Sequence, residues 1–106
     1  MFGNMFKTLF QSKASNHNIK ELVSQGALLV DVRTPNEFSG GSVKGAVNIP
    51  LDQVPSQLHR FKNKNSVIVF CRSGNRSGQA KSILDKQGIP SVINGGTWQE
   101  VRNQLS

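Results

Sequence analysis

The chain has 106 residues, 36% of them hydrophobic and 18% charged; this is enough for one packed core and too short for two ordinary domains. Ten Gly and four Pro are scattered without period, which excludes collagen-like and low-complexity architectures. Thirteen Lys and Arg against six Asp and Glu give a formal charge of +7, which favours an anionic partner whose kind the total leaves open: nucleic acid, acidic lipid or a small anionic substrate.

Residues 1–16 read as an appendage to a domain spanning 17–106. Phe2, Met5, Phe6, Leu9 and Phe10 recur at spacings of three and four, which predicts a short amphipathic helix, and the polar run QSKASN that follows predicts a linker. The apolar stripe would pack on the domain, with a dimer contact or a transient lipid contact as the alternatives. The segment lacks a basic leader and a continuous apolar run, and nothing in the chain approaches the ~20 apolar residues of a membrane span. A cytoplasmic protein without stable membrane insertion is the expectation.

The domain opens with Asn18 and Glu21 in a capping pattern, a helix of about two turns carrying Ile19, Leu22 and Val23 on one face, and Gly26 as its stop. Leu28–Val32 reads as a buried strand with one acid, Asp31. Thr34-Pro35-Asn36-Glu37 is helix-entry chemistry, and Gly40-Gly41-Ser42 is a loop. Residues 46–49 form a second strand stopped by Pro50. Leu51–Phe61 suits a short helix burying Val54, Leu58 and Phe61. Val67–Phe70, the most apolar run, reads as a central strand covered on both faces. After it, Gln79–Gln87 has helical spacing closed by Gly88 and Pro90. Ser91–Ile93 is a last strand, Asn94-Gly95-Gly96 a turn, and Thr97 a cap for a terminal helix. Alternating strands and helices predict an α/β fold with a mostly parallel sheet and helices on both faces. In such sheets ligands sit beyond the carboxyl ends of the strands, which draws attention to residues 71–77.

Cys71 is the only cysteine, so no intramolecular disulfide forms. His17 and His59 stand far from it and read as surface residues, leaving no zinc ligand set. A lone cysteine after an apolar strand is commonly an inert packing residue. The sequence that follows, Arg72-Ser73-Gly74-Asn75-Arg76-Ser77, suits another role. Its small and flexible residues let backbone N–H groups turn into one bowl. The following helix adds about half a positive charge at its N-terminus, and Arg72 and Arg76 add two more. Each favours thiolate over thiol. No acid occurs between Asp52 and Asp85, while Arg60, Lys62, Lys64, Arg72, Arg76 and Lys81 fall in that interval; a solvated basic face is the plainer reading of that run. Asp31, Arg33 and Glu37 read as an ion-pair network bracing the loop, and Trp98 as an anchor for the last helix.

The ordered blocks LLVDVRTPNEF, GAVNIPL, VIVFCRSGNRS and INGGTW make the stretch from about Asn18 to Leu105 similar to single-domain rhodanese-like proteins of the thiosulfate sulfurtransferase type. The resemblance implies a five-stranded, mostly parallel sheet flanked by helices, with the catalytic Cys71 on the loop after the central strand. It implies that Arg72, Ser73, Gly74, Asn75 and Arg76 form the substrate cradle and that Ser77 opens the helix behind it. Four residues separate Cys71 from Arg76, whereas related phosphatases have one more, so the shorter loop favours a sulfur-bearing group over phosphoryl or arsenate. Ser42 stands where His is common in such families, a departure expected to touch packing more than catalysis. The implied reaction carries a sulfane sulfur on Cys71 from a small anionic donor such as thiosulfate to a thiol or protein acceptor. No metal, organic cofactor or nucleic acid enters it, and the chain is expected to be a monomer or weak dimer. A phosphatase or arsenate reductase, and a non-enzymatic persulfide carrier or docking module, are the competing readings.

Overall fold

The computed structural model describes residues 18–106, so the N-terminal amphipathic segment and His17 lie outside the described residues. The element order is α1 (Ile19–Ser24), β1 (Leu28–Asp31), α2 (Pro35–Ser39), β2 (Val47–Asn48), a 3₁₀ segment (Leu51–Phe61), β3 (Val67–Cys71), α3 (Asn75–Lys86), β4 (Val92–Thr97) and α4 (Trp98–Leu105). The strands form one sheet in the order β2-β1-β3-β4, with every pairing parallel. From β1 the chain first moves outward to β2, then crosses back to the other side of β1 to lay down β3. The order therefore reverses between β1 and β3, and their carboxyl ends flank a crevice of the kind in which doubly wound sheets bind ligands.

The two central strands are apolar because both their faces are covered. All five residues of β3 are buried, and their side chains alternate. Val67, Val69 and Cys71 pack with Val30, Val32, Val54, Phe61, Ala80 and Leu84, under the 3₁₀ segment and α3. Ile68 and Phe70 pack with Leu29, Ile19 and Val101, under α1 and α4. Helices thus cover both faces, as the alternation of elements predicts.

The fifth strand implied by the family resemblance is absent from the described residues. The domain contains four extended runs, all four are in the sheet, and the β2 edge pairs over only two residues before Pro50, which has no N–H to donate. Three further expectations are corrected. Asn94-Gly95-Gly96 is part of β4 and not a turn: it pairs with β3 through a register shift at Val69/Phe70. Gly95 is required there by packing, since a Cβ would lie 2.9 Å from Val101 Cγ2 and 3.1 Å from Ile68 Cγ2. The segment Leu51–Phe61 is 3₁₀, contains Pro55 and kinks at Gln57, although Val54 and Phe61 are buried as expected. Finally, α3 begins at Asn75, so Ser77 lies inside its first turn.

Candidate active site

The loop from Cys71 to Asn75 is short because β3 runs into α3 through a single left-handed residue. Gly74 takes φ +91° as the residue preceding the helix, a conformation that favours glycine. This turn folds the following amides back over the end of β3. The Gly74 N–H donates to Cys71 Sγ at 3.1 Å and the Ser77 N–H at 3.4 Å, while the Ser77 hydroxyl lies 3.5 Å from the same sulfur. Burial pushes the Cys71 thiol up; bonds from the Ser77 hydroxyl and from the amides of Ser77, Ser73 and Gly74 outweigh it, so the thiol lies below its ordinary value.

Cys71 is therefore both a core residue and a polarised one. Its side chain is wholly buried with the apolar cluster beneath α3, yet its sulfur faces peptide amides. The thiol that the sequence places at the floor of an accessible bowl is buried. Arg72, Ser73 and Asn75 are exposed around it, and Gly74 and Arg76 are half-buried. The structure gathers all seven predicted site residues at one end of the sheet, with only Gly74 and Ser77 bonded to the sulfur through resolved contacts.

The cations take a different part from the one their charge suggests. Arg76 is gripped by Glu37 of α2, Nη1 to Oε1 at 2.7 Å and Nη2 to Oε2 at 3.0 Å. The same Glu37 Oε1 accepts from the Thr34 amide, while Thr34 Oγ1 accepts from the Glu37 amide, closing a capping box at the start of α2. Bonding to Arg76 and to the Thr34 amide holds the Glu37 carboxyl down at about 2, and the pairing raises Arg76 above its ordinary value. This bidentate pair spans the crevice between the carboxyl ends of β1 and β3. Beside it, Val32, Leu51, Pro55, Ile83, Arg76 and Gln79 line an apolar cleft of about 420 Å³.

Asp31 and Arg33 form a separate structure on the other face of the sheet. Arg33 donates to both Asp31 carboxylate oxygens and to the carbonyl of Gly41, and both residues are buried. Ser42 Oγ donates to Asp31 Oδ2 at 2.7 Å, so the serine standing where His is common serves the buried carboxylate. The guanidinium groups of Arg33 and Arg102 each lie over the Trp98 ring, 4.9 Å from its centre. Trp98 thus fastens α4 as anticipated. Of the expected network, only Glu37 braces the cysteine loop directly.

One residue with a part in the site escapes the sequence reading. Asn94 Oδ1 accepts from Ser77 Oγ at 2.7 Å, and Asn94 Nδ2 donates to the Gly74 carbonyl at 3.2 Å, tying the end of the loop and the first turn of α3 to β4. The available signal is its place: a polar side chain near the carboxyl end of a strand in a parallel sheet. His59 is exposed, and no described helix is long and apolar enough to cross a membrane.

The profile of the Rhodanese-like domain family matches residues 15–101. The chain is 41% identical over 68 residues to the uncharacterized protein YqhL of Bacillus subtilis, covering 64% of this chain and spanning about half (54%) of that relative's length. It is 37% identical over 84 residues to a sulfurtransferase of Allochromatium vinosum, covering 77% of this chain and 78% of the relative. Against the thiosulfate sulfurtransferase PspE of Escherichia coli it is 38% identical over 74 residues, covering 68% of this chain and 71% of the relative. Among solved structures, a rhodanese with anions from E. coli superimposes with a TM-score of 0.65 at 36% identity, covering 70% of this chain and 89% of that one. With the profile extending over the sheet, the cysteine loop and most of the helices, the chain belongs to the rhodanese-like domain family.

Proposed function

We propose that the chain is a sulfurtransferase whose nucleophile is Cys71 and whose cradle is Arg72, Ser73, Gly74, Asn75, Arg76 and Ser77. The observation that carries this reading is the convergence of the Gly74 and Ser77 amides and the Ser77 hydroxyl on the Cys71 sulfur. A cysteine serving packing alone has no use for three polar groups; a thiolate, or a persulfide carrying the same charge, is stabilised by them. The family relationship to chains named as sulfurtransferases supports the reaction class.

In the proposed cycle the Cys71 thiolate attacks the outer sulfur of thiosulfate. A new S–S bond forms, the donor's S–S bond breaks, and sulfite departs with the bonding pair. The acceptor, cyanide in an assay and a thiol or protein thiolate in the cell, then attacks the outer sulfur and releases the Cys71 thiolate. No net oxidation is needed, and the hydroxyl and amides at the sulfur favour its ionised form without a dedicated base. The spacing of four residues between Cys71 and Arg76 supports sulfur over phosphoryl transfer.

Double displacement makes a kinetic prediction. Initial rates measured against thiosulfate at several cyanide concentrations should give parallel double-reciprocal lines. Converging lines, or turnover of an aryl phosphate without sulfur transfer, would refute the reading.

A further inference from the structure

We propose that Asn94 is a positioning residue that competes with Cys71 for the single hydroxyl proton of Ser77. The orientation of the Asn94 amide is fixed by two bonds that do not involve Ser77: Nδ2 donates to the Gly74 carbonyl at 3.2 Å, and Oδ1 accepts from the Gly96 N–H at 3.0 Å. The atom left facing Ser77 Oγ, at 2.7 Å, is thus an oxygen with no hydrogen of its own, and Ser77 must be the donor. A serine has one proton to give. With that proton on Asn94, Ser77 presents lone pairs to the sulfur 3.5 Å away.

Two arrangements of one short chain follow. When Cys71 is a thiol, its S–H donates to Ser77 Oγ and Ser77 donates to Asn94, so each proton has an acceptor. When Cys71 is a thiolate or a persulfide anion, the Ser77 O–H does more by turning to the sulfur, and Asn94 Oδ1 keeps the Gly96 amide. No atom leaves the site; one hydroxyl rotates. Asn94 therefore opposes ionisation of the thiol and takes the Ser77 proton back when the Cys71 thiolate is protonated again. This deepens the reading of Cys71 as the nucleophile, and rests on it for the consequence to turnover.

The charged and titratable groups on the elements around the loop are Arg72, the Arg76–Glu37 pair, the Asp31–Arg33 pair, Asp52, His59 and Arg60 on the 3₁₀ segment, Lys81, Asp85 and Lys86 on α3, and Glu100 and Arg102 on α4. None of them hydrogen-bonds Asn94 among the described residues. A substitution at 94 leaves their charges in place.

The test reads the proton directly. Cys71 is the sole cysteine, so iodoacetamide alkylation of the full chain as a function of pH reports it alone. In Asn94→Ala, or the near-isosteric Asn94→Leu should alanine fail to fold, the freed Ser77 hydroxyl turns to sulfur. Alkylation below the midpoint should then speed up about threefold. In a Ser77→Ala background the same substitution should change nothing. An unchanged profile in both Asn94 variants overturns the proposal. So does an equal shift with and without Ser77, the signature of a loosened loop. Failure of Cys71 to take up sulfur from thiosulfate would instead overturn the proposed function and leave the proton placement standing.

Discussion

Glu37 holds Arg76 with both carboxylate oxygens, at 2.7 and 3.0 Å, while one of those oxygens also closes the capping box with Thr34. Helix α2, which follows β1, is thereby latched to the first turn of α3, which follows β3. The side chains of the pair are about one-third exposed, 33% for Arg76 and 30% for Glu37. Solvent screens the attraction, and the cost of losing it is correspondingly modest.

Glu37→Gln should destabilise the domain by about 0.5–1 kcal/mol at neutral pH. The folded carboxyl is depressed to about 2 from its ordinary 4.5. Its contribution is therefore complete above about pH 4.5 and drains away as pH falls toward 2. Urea unfolding at a series of pH values should show the gap between wild type and variant narrowing in that window. A gap that stays constant down to acid pH would contradict the assignment.

The lowering of the Cys71 thiol owes more to neutral dipoles than to arginine. The groups that lower it are the Ser77 hydroxyl and the amides of Ser77, Ser73 and Gly74, and Arg76 already has its counter-ion. Ser77→Ala should therefore raise the alkylation midpoint of Cys71 more than Arg76→Ala does. Slower labelling in the Ser77 variant at a fixed pH below the midpoint is the expected sign, since less of the thiol is ionised there. A larger effect from Arg76→Ala would return the account to charge.

Gly95→Ala places a methyl 2.9 Å from Val101 and 3.1 Å from Ile68, both buried. Neither neighbour can give way without moving α4 or the β3 core. The expected loss is about 1–3 kcal/mol, read as a lower midpoint in thermal or urea unfolding. An unaffected midpoint would show that α4 is not seated as closely as described.

Arg33→Ala leaves the Asp31 carboxylate buried with Ser42 as its main side-chain donor, and removes one cation from the Trp98 ring. Breaking one side of such a pair costs about 3–5 kcal/mol. Because this cluster lies on the face opposite Cys71, the variant, where folded, should keep the pH profile of Cys71 alkylation. A shifted profile at full folding would join the two clusters functionally.

Much of this was legible along the chain because the signals are local. The run Val67–Phe70 has the composition of a strand covered on both sides, and it is one. The Thr34 and Thr97 caps show in the spacing to Glu37 and Glu100, where both capping boxes form. The remainder depended on partners distant in sequence. Asn94-Gly95-Gly96 carries turn chemistry locally; what makes it a strand is the ladder with β3 and the nearness of Val101. The start of α3 has no side-chain cap to announce it, only the left-handed Gly74. Arg76 reads as a free cation until α2 brings Glu37 against it, 39 residues away in the chain. The cradle suggested by Gly, Ser and Asn folds so that the Gly74 and Ser77 amides meet a buried sulfur.

The most direct measurement is the intact mass of the full chain after incubation with thiosulfate and removal of excess reagent. The account predicts a gain of one sulfur mass, reversed by cyanide and absent in Cys71→Ser. An unchanged mass in a folded protein whose Cys71 still alkylates, or a gain that persists in Cys71→Ser, would contradict it.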